Sequence, residues 1–592
     1  MEPIKVDFTG GNGAGKGKGS GKDAYLSPSK AGLKTVISVI GTVIGAVVAY
    51  YFMLPPLNFK STELYFFLGI VAVIYLAFQI VLSGVIMKPE YTKYVKKQAI
   101  VPGIIIGALA VVVGVGMLFS SVVFRASSYS KIISVSEDKT FSSDIKQADF
   151  KSVPVLDTAA SAALATRTLG DLASINKESQ FEVAQQFTQI NYKNSPVRVG
   201  PLAYGDIFKW FKNTKEGMPG YIIVDMVTQK TEFVMLKEGS YIRYSTEEHF
   251  SKYLMRHVRF AYPTYIFDEP HFEIDEQGRP FWLCPVLDKT IGLFGGTDVK
   301  GVVIVDAITG ECNEYSLETI KNDKSFQWID GIYSNDLLVE QYNYYGKYTG
   351  GFINSIIGQE GVRVATEGSN FLALNDDVYM YTGVTSVSND QAIIGFVLVN
   401  MRTKEANFYE ISGAKEYSAM SSAEGQVQNY KWTATFPILL NISGQPTYFM
   451  SLKDDASLVK HYAMVNVQNY QVVATGKTIA ECTENYVNLL AQSNINIKVD
   501  IDKIKDDTDK NEPSTDKPAE KTTVTVKGTV SDIRTAVMGG ESYYFIRLEK
   551  GRTYYKVSAS ENEAVVILNT GDSVSLTYQK GESGSVIAAE LG

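Results

Sequence analysis

The side chains best spaced to do chemistry in this sequence are His271, Glu273 and Asp275, which alternate in HFEID. On a β-strand, alternate residues point to one side, so the three could hold a metal ion or pass a proton. Zinc sites need firmer ligand spacing and a group behind each ligand to orient it, and nothing nearby supplies either. A second candidate is GGNGAGK, Gly10 to Lys16, which matches the start of a phosphate-binding P-loop. That loop requires a Ser or Thr after its Lys and a helix to aim at the phosphates. Gly17 follows Lys16 and no apolar-periodic helix follows, so a solvated Gly/Ser/Lys tail is expected. Asp507, Asp509 and Asn511 imitate a calcium loop, but Glu512 stands where Gly is required. His249 and His257 lie eight apart in a stretch expected to be helical, and His461 stands alone. No G-x-S-x-G or H-E-x-x-H motif occurs. The sequence therefore assigns no catalytic, cofactor-binding or metal-binding residue, and no cofactor.

The elements around these residues begin in a membrane. Thr35–Leu54, Tyr65–Met87 and Ala99–Phe124 contain no Lys, Arg, Asp or Glu. Each has the roughly 20 residues needed to cross a bilayer as a helix. The first run is longer than the apolar core of a signal peptide and two more follow it, so an uncleaved anchor is expected. Lysines crowd the head (Lys5, Lys16, Lys18, Lys22, Lys30, Lys34) and the second loop (Lys88, Lys93, Lys96, Lys97), whereas the first loop has only Lys60. Positive loops stay inside, so the N-terminus should be cytoplasmic and everything from Arg125 outside. The basic tail then serves orientation and attraction to anionic lipid heads. Gly41/Gly45 and Gly103/Gly107 have the spacing that lets helices approach closely, within the anchor or in a homo-oligomer. With no ionisable residue in any span, an anchor is favoured over a transporter.

The outer part is too long for one core. The net charge is −8 although head and second loop are basic, so the exterior carries the acid, and nucleic acid is not an expected partner there. Only three cysteines occur, without a paired framework, which points to a bacterial surface.

A repeat organises this exterior. GYIIVDMVTQKTEFVML (from Gly220), GVVIVDAITGECNEYSL (Gly301), GFVLVNMRTKEANFYEI (Gly395) and HYAMVNVQNYQVVATGK (His461) each run an apolar strand into Asp or Asn, a turn and a second strand. Asp225, Asp306, Asn400 and Asn466 are expected to form turns, since their side chains can bond their own turn backbone. EIDEQGRPFWLCPVLDK and LLNISGQPTYFMSLKDD add a preceding hairpin with Gly-x-Pro at Gly278–Pro280 and Gly444–Pro446. Helices are expected ahead of the hairpins, from Asp157 and, with a Ser245/Glu248 capping box, from Ser245. The unit is a helix plus about four antiparallel strands. The order in Glu273 to Glu311 resembles the PepSY family, small extracytoplasmic α+β modules of protease propeptides and envelope proteins. That resemblance implies a noncatalytic role, such as modulating a protease or binding a partner. The three-span layout also resembles surface proteins of Firmicutes.

A charged linker follows, then five strands with a helix between the third and fourth, the order of an OB-like barrel. Tyr543, Tyr544, Phe545, Tyr554 and Tyr555 give it an aromatic sheet, alternate members of which are expected in its core. The expected layout is a membrane-anchored multidomain chain: tail 1–34, three-helix transmembrane anchor 35–124, juxtamembrane segment 125–156, tandem α+β PepSY-like repeats 157–501, linker 502–523 and all-β OB-like barrel 524–592. The expected function is a multi-pass cell-membrane protein acting as an extracytoplasmic scaffold or binder for an envelope protein or cell-wall polymer. The alternative is an envelope hydrolase, or the regulatory subunit of a membrane protease.

Overall fold

A computed structural model describes residues 26–150, 152–169, 179–374, 377–493, 523–538, 541–549, 551, 553–559, 562–579, 586–588 and 590–591. The Gly10–Lys22 tail, the stretch INIKVDI from Ile495, whose alternation reads as one more strand, and the Asp507–Glu512 loop lie outside them. The chain divides into two compact units, Met1–Glu512 and Pro513–Gly592.

In the larger unit three helices are long and apolar enough to cross a membrane: α1 (Ala31–Met53), α2 (Thr62–Ser83) and, after the short α3 (Thr92–Gln98), α4 (Ile100–Ser120). Two end before their apolar runs do. Gly84, at φ 75°, stops α2, and extended backbone at Ser121 stops α4, so that Phe124 belongs to α5 (Val122–Tyr129). Gly41 and Gly45 form the seam between α1 and α2: a Cβ on Gly41 would lie 2.7 Å from Phe78, and one on Gly45 3.0 Å from Ile74. Gly103 and Gly107 meet nothing within 4 Å among the described residues.

These three helices are fastened to the β-rich body at one end. Arg256 and Arg259 donate to the carbonyls of Tyr51 (3.0 Å) and Leu54 (2.9 Å), satisfying orphan acceptors where α1 ends and its dipole favours cations. Lys60, in the α1–α2 loop, pairs with Asp288 at 2.8 Å. Ser120, ending α4, accepts from the amides of Leu293 and Phe294 at 2.9 and 3.1 Å.

After α5 come β1 (Val135–Lys139) and α6 (Phe141–Asp144), then four sheets with one wiring. The first repeat is α7 (Thr158–Thr168), β2 (Phe181–Val183), β3 (Thr188–Tyr192), β4 (Ser195–Tyr204), α8 (Ile207–Asn213), β5 (Gly220–Asp225) and β6 (Thr231–Met235). The second is α9 (Leu254–Ala261), β7 (Ile266–Phe267), β8 (His271–Ile274), β9 (Pro280–Ile291), β10 (Gly295–Asp306) and β11 (Cys312–Ser316), followed by α10 (Leu317–Asn322). The third is α11 (Asn335–Tyr348), β12 (Arg363–Ala365), β13 (Asn370–Leu374), β14 (Asp377–Ser386), β15 (Asn389–Asn400) and β16 (Ala406–Ala414). The fourth is α12 (Glu416–Gln426), β17 (Thr433–Ala434), β18 (Ile438–Ile442), β19 (Gln445–Lys453), β20 (Val459–Asn466) and β21 (Val473–Gly476), with α13 (Ile479–Gln492) after it. In every sheet the first and second strands both pair with the third, the third with the fourth and the fourth with the fifth. β1 adds a parallel edge to the third sheet beside β16.

One expected helix is displaced. Ser245 bridges to Tyr253, Phe250 sits at φ 51°, and α9 starts only at Leu254. The reason is Glu248, which turns inward rather than capping: its oxygens accept from Tyr204 Oη (2.6 Å) and Trp210 Nε1 (2.7 Å). Asp157 does cap α7, accepting from the Ala160 amide at 2.8 Å.

The smaller unit is a six-stranded sheet of β22 (Thr523–Met538), β23 (Glu541–Leu548), β24 (Tyr554–Ser558), β25 (Ser573–Gln579), β26 (Val586–Ala588) and β27 (Glu590–Leu591). A 3₁₀ turn, Glu563–Ile567, lies between β24 and β25. β22 is shared: its first part pairs with β25 and its second with β23. β24 pairs with β26 in parallel, β25 with β27 antiparallel. Val530, Ile546, Leu548, Val557, Val565 and Leu576 form its core.

Candidate functional site

The four repeated acids and amides all do the same local job. One side-chain oxygen of each accepts from the amides two and three residues on: Val227 and Thr228 for Asp225, Ile308 and Thr309 for Asp306, Arg402 and Thr403 for Asn400, Gln468 and Asn469 for Asn466, all within 2.8–3.1 Å. That oxygen of each is committed to closing its hairpin turn.

His271, Glu273 and Asp275 divide. Asp275 closes the β8–β9 turn, accepting from the amides of Gln277 (3.0 Å) and Arg279 (2.8 Å). His271 and Glu273 instead meet the segment before α11: His271 Nε2 lies 2.5 Å from the Gly331 carbonyl, and Glu273 accepts from the amides of Asp330 (3.1 Å) and Gly331 (3.2 Å). Burial pushes the Glu273 carboxyl up to about 8, overriding those two amides, and pulls His271 below the usual imidazole range. At neutral pH both are therefore mainly uncharged, with their oxygens and Nε2 engaged by backbone. Their effect is to pin Asp330–Gly331 in place. His249 and His257 do not share a helix. His249 stacks edge-on against Trp210, and His257 Nε2 lies 2.7 Å from the Gly310 carbonyl. Among the described residues no three His, Cys, Asp or Glu gather as a metal would require. The three cysteines are free thiols; burial raises the pKa of all three.

The pinned segment forms one wall of a cavity of about 210 Å³. Phe187, Gln189 and Arg198 of the first repeat, His271 of the second, Asp330–Gly331 of the segment before α11 and Phe371 of the third repeat line it, with Val378 and Met401 extending the apolar side. Asp330 is held by the Asn191 amide, 2.6 Å from Oδ2. Arg198 and Gln189 are 6% and 9% exposed. Their one mutual contact, Arg198 Nη2 to Gln189 Oε1, is long at 3.5 Å, and neither Arg198 Nε nor Gln189 Nε2 has a partner among the described residues. Burial lowers the Arg198 pKa to about 10, with Asp157 opposing the shift, so the guanidinium stays charged at neutral pH. No ion pair links Arg198 to a carboxylate among the described residues. Sequence reasoning did not single out either side chain. The usable signal was a charge inside SPVRVGPLAY, a strand buried along most of its length.

In the smaller unit the aromatics alternate: Tyr544 and Tyr555 pack against the core. Tyr543 lies under Lys556 at 4.0 Å, and Tyr554 bonds Asp532 at 2.5 Å between Arg534 and Arg547.

No protein-family model, curated protein or solved structure matches the chain.

Proposed function

We propose that this chain is a membrane-anchored binding protein of the bacterial envelope, with the N-terminus cytoplasmic and the residues after α4 outside. Its tandem repeats, with a helix ahead of each sheet, resemble PepSY modules, and the strand order of the smaller unit, with β22 shared and β24 parallel to β26, fits an OB-like barrel. Its partners would be an envelope protein or a cell-wall polymer, and the free Gly103/Gly107 stripe suits self-association.

One observation carries this reading: the cavity has walls from three successive repeats, while the acid and imidazole beside it are engaged by backbone groups rather than facing a nucleophile. A site so built holds a ligand and joins repeats together. Affinity capture from native membranes should recover a specific envelope partner, and the purified chain should show no turnover in peptidase, glycosidase and esterase assays. Turnover lost on changing His271 or Glu273 would overturn the reading.

A further inference from the structure

The repeats allow an internal comparison, because each sheet carries the same turn residue at the end of its fourth strand. Asp225, Asp306, Asn400 and Asn466 pair with Val197, Phe281, Tyr379 and Thr447 on the third strands. One position further along stand Arg198, Trp282, Met380 and Tyr448. These pair in turn, on the second strands, with Gln189, Phe272, Phe371 and Leu439. On the fourth strands all four face a fully buried valine: Val224, Val305, Val399 or Val465. The same row across the sheet is thus Phe–Trp–Val, Phe–Met–Val and Leu–Tyr–Val in three repeats, and Gln–Arg–Val in the first.

The fold does not need a charge there. Trp282, Met380 and Tyr448 are all 0% exposed and fill the position with core. Burying a guanidinium without a carboxylate partner costs several kcal/mol relative to such a side chain, and an unpartnered buried amide adds to that. The first repeat carries both, side by side, on the wall of a cavity. A guanidinium edge presents paired N–H donors at the spacing of a carboxylate's two oxygens, and Gln189 Nε2 supplies a further donor.

We propose that the cavity between the first three repeats is a binding site for a small organic carboxylate, held by Arg198 and Gln189 with its apolar body against Phe187, Phe371, Val378 and Met401. The single cationic side chain matches one negative charge, and Asp330 on the same lining disfavours a dianion such as phosphate. The volume is below the range of drug-sized pockets, roughly 300–1,000 Å³, so the carboxylate is a small metabolite or the very end of a peptide. This assignment rests on the binding reading above and names its ligand chemistry.

The test uses the full chain in detergent, with thermal shift and calorimetry. Benzoate or butyrate should raise the melting temperature and bind, whereas benzamide, which keeps the ring but not the charge, should do neither. A tripeptide with a free C-terminus, compared with its amidated form, separates a peptide end from a free acid as the source. Arg198→Met installs the third repeat's residue. It should fold, match or exceed the wild type's unliganded melting temperature, and bind carboxylate at least tenfold more weakly. Gln189→Leu should weaken binding by a smaller factor. Absence of any carboxylate response in the wild type, an equal response to benzamide, tighter binding of inorganic phosphate, or retained binding in a folded Arg198→Met chain would each overturn the assignment. Capture of an envelope partner by a wild-type chain indifferent to carboxylates would sink this assignment alone. Hydrolytic turnover with carboxylate binding intact would sink the broader reading alone.

Discussion

Replacing Asp306 separates the turn function of the repeated acid from its charge. Asp306 is 6% exposed; Oδ1 accepts from the Ile308 and Thr309 amides at 2.9 and 2.8 Å, and Oδ2 pairs with Arg279, whose side chain is 51% exposed. Asp306→Ala removes that ion pair together with two bonds to a charged acceptor, each worth about 1.5–3 kcal/mol, so a loss of about 3 kcal/mol is expected even after water reaches the freed amides. Asp306→Asn keeps an Oδ1 in place, as Asn400 and Asn466 do in the later repeats, and forfeits only a half-exposed ion pair, about 1 kcal/mol or less. At about 1.4 kcal/mol per decade, amide exchange in β10 and β11 should accelerate roughly a hundredfold in the Ala variant and about fivefold or less in the Asn variant. Equal acceleration in the two would show that the ion pair, not the turn, holds the hairpin, and the account of all four repeats would fail.

Three further outcomes are expected. Glu273 has a folded pKa of about 8 against an ordinary 4.5, so it contributes stability that is complete below about pH 4.5 and lost as pH rises through about 8; Glu273→Gln should flatten that decline in melting temperature, and an unchanged profile would refute the buried, protonated carboxyl. Gly41→Leu, whose Cβ already falls 2.7 Å from Phe78, should destabilise the chain in detergent more than Gly103→Leu, whose Cβ meets nothing within 4 Å among the described residues of the chain; the reverse order would refute the packing of α1 on α2. Protease added to intact cells should remove the large C-terminal region and spare the tail, and a protected C-terminal region would reverse the orientation.

The apolar helices and hairpins were legible for a simple reason: long uncharged apolar runs and a strand ending in Val-Asp or Val-Asn are local signals. The first repeat's hairpin was harder, since Gly-x-Pro becomes Asn194-Ser195-Pro196. The turn survives because Lys193 and Asn194 both adopt positive φ, at 53° and 61°, and Asn tolerates that region better than most residues. Had Pro196, Pro280 and Pro446 been aligned, Arg198 would have fallen in the column of Trp282 and Tyr448. The displaced α9 was illegible because Glu248 obeys partners in another strand and helix, Tyr204 and Trp210, rather than its own sequence neighbours. The cavity was hidden for the same reason: it exists only where three repeats meet.

The parallel pairing of β1 with β16 also governs the order in which the molecule can be made. Asn441 Nδ2 donates to the Ile145 carbonyl across 296 residues of chain, and Ser451 reaches Val155 over the same interval. At roughly 5–20 residues per second, the segment leaving the third span waits roughly 15–60 s for these partners to be synthesised. Solenoid arrays can fold one repeat at a time from either end. Here β1 waits for β16, its unpaired edge stays open to wrong pairings until the third repeat is made, and a chain truncated within the third or fourth repeat loses partners for a segment made long before the cut.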